Sequence, residues 1–223
     1  MNNIFSIRLR INCPYFSTFR KPTSTSTILT YFIPPYTTIR GLISNAMGLP
    51  RDDLRMQEWF KIGIKPLVTD FEKSSEMAKI LKLKGNSEEY RRNFSSSPMF
   101  KEFLVNWDYE IFLIGNNERI NEIYLSLLNP ERMLYIGDSD AMVDIDVSEP
   151  DFAEEVVTNK VCSVIEGFYD DCIIEKIPYK FTKTGKKINL EYKTISIPYK
   201  YPLLLERKVS LFKLKEDRYI WAT

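Results

Sequence analysis

Ile4-Phe5-Ser6-Ile7-Arg8-Leu9-Arg10-Ile11 alternates along its whole length. Phe5, Ile7, Leu9 and Ile11 fall on one face and Ser6, Arg8 and Arg10 on the other, the pattern of a half-buried β-strand. After an irregular segment, Asn12 to Pro35, the period changes. Ile39, Leu42, Ile43, Ala46 and Met47 recur at i, i+3, i+4, i+7 and i+8, which predicts a helix over 37–47. Pro34-Pro35 before it and Gly48-Leu49-Pro50 after it suit a start and a stop. A second strand is expected within 57–68, where Phe60, Ile62 and Ile64 share a face, and a third over Trp107–Ile114. Asn116 or Asn117 then caps a second helix with Ile120, Ile123, Tyr124, Leu127 and Leu128 at the spacing of the first, closed by Asn129-Pro130. A fourth strand is read from 133–136 and 142–147, broken at Gly137–Asp140.

This order is βαβ, insertion, βαβ. It predicts an α+β fold of ferredoxin-like, RNA-recognition type, in which two amphipathic helices cover one face of a four-stranded antiparallel sheet. The expected domain spans residues 1–150. Its polar insertion, about 69–106, contains one short helix or a hairpin. Residues 151–223 read as a smaller β-rich part, with strands at 161–166, 172–178, 187–198 and 209–214 with 218–222.

Composition narrows the chemistry. With 44% hydrophobic residues, 223 positions can bury a sizeable core, so disorder is excluded. No run approaches the roughly 18 apolar residues of a membrane helix, and the first residues lack a signal peptide's apolar stretch. Cys13, Cys162 and Cys172 are odd in number and widely spaced, so neither a disulfide framework nor a zinc site is indicated. The expectation is a soluble, cytoplasmic protein without cofactor. The chain holds no histidine, which removes the commonest acid/base near neutrality and the usual partner of a Ser or Cys nucleophile. The nucleotide and hydrolase motifs GxGxxG, GxxxxGK[ST] and GxSxG are also missing.

A net charge of +1 conceals segregation. Residues 1–51 carry six basic side chains and no acid. Residues 106–175 carry seventeen acids against three bases, and 176–223 twelve bases against four acids. Basic ends on one side of an acidic middle suit a phosphate backbone; mutual neutralisation of ends and middle accounts for the pattern equally well.

The richest candidate is Asn12–Arg40. Arg20, Lys21 and Arg40 suit phosphates, hydroxyls and the helix N-terminus at Thr37-Thr38 suit phosphate oxygens, and Tyr15, Phe19, Tyr31 and Tyr36 suit stacked bases. The same residues would also make a surface loop pinned to the core by its aromatics. Lys79, Lys82, Lys84, Arg91 and Arg92 in the insertion fit either a projecting basic hairpin or a solvated face. Asp138, Asp140, Asp144 and Asp146 lack the order of a calcium loop and read as a turn and solvent-facing strand positions.

Phe19-Arg20-Lys21-Pro22-Thr23, the run Thr30-Tyr31-Phe32-Ile33-Pro34-Pro35-Tyr36-Thr37-Thr38-Ile39-Arg40-Gly41-Leu42, and Gly48 resemble the N-terminal signature of CRISPR-associated family five, the Cas-five subunit. Tyr135-Ile136-Gly137-Asp138-Ser139-Asp140 with Val143-Asp144-Ile145 is similar to that family's later glycine turn. The resemblance spans residues 3–147. It implies a repeat-associated RNA-binding fold in a type I CRISPR surveillance complex (Cascade), in antiviral defence. By it, the subunit holds the 5′ handle of CRISPR RNA, caps the filament of Cas-seven-type backbone subunits and docks the large subunit, with residues 69–106 as a thumb. Carried over by position, Arg20, Lys21, Tyr31, Thr37, Thr38, Arg40 and Gly41 lie at the handle. Lys82, Lys84, Arg91 and Arg92 join them on charge alone.

One family branch cuts precursor RNA with a Tyr, a Lys and a His, and this chain has no His. The leading expectation is therefore a non-catalytic subunit with no metal. A metal-independent endoribonuclease and a protein-interaction module without RNA are the rivals.

Overall fold

The computed structural model describes residues 3–13, 15–23, 27–50, 53–81, 96–138, 141–185 and 187–223. The chain is mixed α/β, mostly strand, with two α-helices among the described residues. The strands in chain order are β1 (Ile4–Asn12), β2 (Phe16–Ser17), β3 (Thr27–Ile28), β4 (Phe60–Pro66), β5 (Glu72–Leu81), β6 (Ser96–Val105), β7 (Asp108–Asn116), β8 (Asp144–Val147), β9 (Asp151–Val161), β10 (Ile165–Glu166), β11 (Cys172–Thr184), β12 (Lys187–Pro198), β13 (Leu203–Leu214) and β14 (Arg218–Ile220). The helices are α1 (Tyr36–Ala46) and α2 (Asn117–Leu128).

The alternation of β1 becomes the two faces of the main sheet. β1 pairs antiparallel with β7, setting Ile7 opposite Leu113, Leu9 opposite Ile111 and Ile11 opposite Tyr109. β4 pairs with the other edge of β7 and adds Ile62 and Ile64 to that apolar face. Ile39, Leu42 and Ile43 of α1 and Ile120, Ile123 and Leu127 of α2 are buried in the same core. Asn116 caps α2, its Oδ1 accepting from Arg119 N at 2.9 Å.

The opposite face carries Arg8, Arg10, Lys65 and Glu110. Glu110 is 5% exposed and meets Arg218 at 2.8 Å, Lys65 at 3.2 Å and Arg8 at 3.4 Å. Burial alone would raise its pKa, but Lys65 and Arg218 outweigh burial and hold the carboxyl below its usual range.

Three sequence expectations change. The fourth strand is shorter: Asp144–Val147 pairs with β1, and Tyr135–Met142 is an isolated bridge. The strand expected at 161–166 lies largely earlier, at Asp151–Val161. That shift carries the sheet across residue 150, because β9 pairs with β1 (Ile4 opposite Ala153) and the path runs β14-β13-β9-β1-β7-β4. Residues beyond 150 thus extend the main sheet as well as forming the β10-β12-β11 sheet. Just past β14, Thr223 exchanges both backbone hydrogen bonds with Ile62 of β4, closing the path on itself. Gly63 makes room for this, since a Cβ there would run into Ile220.

Within the insertion, β5 pairs antiparallel with β6 from Glu72–Val105 to Leu81–Ser96. The basic positions Lys82, Lys84, Arg91 and Arg92 lie outside the described residues, as do Ser139 and Asp140.

Candidate nucleic-acid interface

The irregular segment 13–35 is folded by long-range pairing. β2 and β3 both pair with β6, and Arg20 bridges Thr30, so residues 19–21 run beside 29–31. Alternation then sends neighbouring side chains opposite ways. Phe19 turns into the core, its ring 5.7 Å from that of Trp107. Arg20 points outward, is exposed, and has no carboxylate partner among the described residues. Lys21 turns back, 2.6 Å from Glu175 and 5.0 Å above the Tyr31 ring.

The expected basic cradle of Arg20, Lys21 and Arg40 is therefore not assembled. Lys21 is held by Glu175, a buried carboxylate of β11 that also accepts from Phe32 N at 2.9 Å. Arg40 is 2% exposed; its Nη1 donates to the Tyr179 carbonyl at 2.7 Å and its guanidinium lies 5.2 Å from that ring. Phe19, Tyr31 and Tyr36 are core residues, and burial pushes the Tyr31 hydroxyl up to about 12. They pin the loop to the core, as the surface-loop reading of this segment expects. Tyr15, 74% exposed, is free to stack.

A different surface gathers the two sequence motifs. Thr38 and Gly41, on the outer side of α1, face Tyr135 and Gly137 across a groove of about 530 Å³. Thr37, one position earlier, is half-buried in the first turn. Gly137 has φ +81°, and a Cβ on it would lie 2.5 Å from the Thr18 carbonyl oxygen and 3.3 Å from the Phe19 ring. The glycine turn thus packs against the backbone leading into Arg20. Its neighbour Asp138 is 2.7 Å from Lys101 of β6. Among the described residues the groove's lining includes one cation, Arg132, which donates to the Gly48 and Leu49 carbonyls at 3.0 Å each, and no carboxylate.

Arg132 escaped the sequence reading. The signal was present: it is one of three basic residues among seventeen acids, three positions before Tyr135. Lys73, whose Nζ sits 3.8 Å from the centre of the Phe32 ring, left no comparable trace. Of the remaining aspartates, Asp146 pairs with Arg8 at 3.0 Å.

Gly41 is the residue that chain stability does not explain. It stands within a helix, exposed, with nothing within 4 Å of where a Cβ would be. Glycine there costs about 0.5–1 kcal/mol relative to alanine. The absent side chain leaves the helix backbone open to close approach from the groove. Gly41→Ala is expected to raise the melting temperature of the isolated protein by a few degrees while weakening whatever occupies the groove. Unchanged binding with raised stability would remove Gly41 from the interface.

A family model for CRISPR-associated protein (Cas_Cas5) matches residues 6–180, and so takes in most of β1, the groove and most of β11. The chain belongs to the Cas5 family. Its fold is similar to that of a chain described as "CRISPR RNA-guided surveillance complex", with a TM-score of 0.60 and 14% identity over 88% of this chain and 91% of that one. It is also similar to a CRISPR protein from Archaeoglobus fulgidus, with a TM-score of 0.52 and 12% identity over 98% and 99% of the two chains. No curated protein matches the sequence. Both stretches that carry the resemblance lie within the part matched to Cas5, and both border the groove. Among the described residues no helix is long and apolar enough to cross a membrane.

Proposed function

We propose that this Cas5 protein is a structural subunit of a type I CRISPR surveillance complex and grips the 5′ handle of the guide RNA in the groove between α1 and the 132–137 turn. The observation that carries the reading is the meeting of the two family-like motifs there, with Gly137 on Thr18 and Thr38 and Gly41 opposite Tyr135. A single-stranded RNA end is held by aromatic platforms and backbone contacts. The groove offers Tyr135, 42% exposed, a helix backbone left bare at Gly41, and Arg132, with Arg20 two residues beyond Thr18. Thr37 stands beside this surface, one position from Thr38, whereas Lys21 is held by Glu175 and Tyr31 and Arg40 are buried.

The order β8-β1-β7-β4, antiparallel throughout, supports the ferredoxin-like arrangement for residues 4–147. In this reading the β5–β6 pair is the thumb that meets the first Cas-seven-type backbone subunit, and the large subunit docks on another face. The open sheet face used by many RNA-recognition domains is here occupied by the Glu110 ion cluster and by Phe212 and Ile220. The RNA is therefore assigned to the helix side.

Binding of a labelled repeat-derived RNA as a function of salt tests the reading. Arg20→Glu with Arg132→Glu is expected to weaken binding about tenfold or more, and to reduce the salt slope by about 0.7 per lost phosphate contact. The RNA is expected to remain uncut in the presence of chelator. Unchanged affinity in the double variant would remove the groove as the site, and single-site cleavage would favour the nuclease reading.

A further inference from the structure

Buried charges in proteins are paired, because an isolated ion in a low-dielectric interior loses several kcal/mol of hydration. Arg40 breaks this rule. It is 2% exposed, and its Nε has no hydrogen-bond partner. No carboxylate lies within ion-pair distance among the described residues. Its contacts are the Tyr179 carbonyl and ring, which are neutral. The carboxylate whose charge reaches it, Glu58, is at the surface and paired with Lys180 at 3.2 Å. Burial lowers the guanidinium's pKa, as expected of a cation lacking a counter-ion.

Arg40 also lines a groove of about 540 Å³, together with Gln57, Trp59, Lys61 and Asn116. At 3.6 residues per turn, Arg40 lies about 200° around α1 from Thr38, so this groove is not the one between the two motifs. It holds a second cation, Lys61, and amide donors. Its side-chain carboxylates are engaged elsewhere: Glu58 with Lys180, and Glu155 as acceptor of the Ser210 hydroxyl at 3.0 Å.

We infer that this groove is an oxyanion site in which the Arg40 guanidinium, seconded by Lys61, binds a phosphate group. A planar guanidinium with a free Nε–H presents the donor geometry that phosphate oxygens accept. The site is independent of the handle reading: a protein that ignores handle RNA yet responds to phosphate would separate the two.

The test is a titration of the isolated protein with inorganic phosphate, with chloride at equal ionic strength as control, read by melting temperature and by the Arg40 Nε–H signal in a nitrogen-correlated NMR spectrum. Wild type is expected to gain a saturable rise in melting temperature and to shift that signal. Gln57→Glu keeps the oxygen that accepts from Phe181 N, two residues beyond Tyr179, and places a carboxylate in the groove. It is expected to melt higher than wild type without phosphate and to bind phosphate at least tenfold more weakly. Arg40→Gln should lose the response, and if it fails to fold, Gln57→Glu decides alone. Uridine 5′-monophosphate binding tighter than inorganic phosphate assigns a nucleotide phosphate; equal binding assigns the free ion. No saturable response in wild type, or an undiminished response in Gln57→Glu, overturns the site.

Discussion

Gly137→Ala is expected to lower the stability of the protein by about 2–4 kcal/mol and to abolish the groove as a shaped surface. A left-handed backbone costs a non-glycine residue roughly 1–2 kcal/mol, and overpacking costs typically about 1–3 kcal/mol. Both apply here, since φ is +81° and the new methyl would meet the Thr18 carbonyl, which is backbone and cannot rotate away. Relief would come from withdrawing residues 135–138 from 18–19, parting the two motifs and loosening the Lys101–Asp138 pair. Denaturant unfolding measures the first effect and RNA affinity the second. A loss below about 0.5 kcal/mol, within the range of an ordinary surface substitution, would mean that the turn relaxes freely and does not shape the site.

Glu110→Gln is the second large effect. The carboxylate is the common counter-ion of Arg8, Lys65 and Arg218, and removing its charge leaves three cations around a neutral amide. Breaking a fully buried pair costs about 3–5 kcal/mol. These cations are 23–33% exposed, so solvent screening reduces the expectation to about 1–3 kcal/mol. The acid limb supplies an independent check. Because the folded-state pKa lies below that of the unfolded chain, the carboxylate's contribution is complete above pH about 4.5 and is lost as pH falls through the folded value. Wild type should lose stability in that window, and the Glu110→Gln variant should lose less. Parallel acid limbs for the two proteins would show that the cluster adds nothing to folding.

The two faces of β1, the two helices with their boundaries, and the strands at 60–66 and 108–116 were legible in the sequence, because each rests on a period of 2 or 3.6 that local chemistry enforces. The stretch between the fourth and later strands was misjudged for the same reason. Asp151–Val161 holds charged and apolar residues in no clean alternation, since its pairing with both β1 and β13 comes from distant chain.

For the site, the sequence determined which residues belong together by kind and left open which way they face. A run of hydroxyls, aromatics and bases over 12–40 reads more readily as a pinned loop than as a grip, and tertiary packing pins its aromatics while leaving Arg20 exposed. Phe19, Tyr31 and Tyr36 were drawn inward because only large apolar area fills the core beneath the loop. Lys21 followed because Glu175, 154 positions away, had entered the same interior and required a cation. Arg40 was carried under Tyr179 by its position on the helix, while Thr38 and Gly41, on another side of that helix, were left to the groove. Local patterning thus established the elements and the family. Which charges reach the surface was decided by long-range burial, whose partners no window of sequence contains.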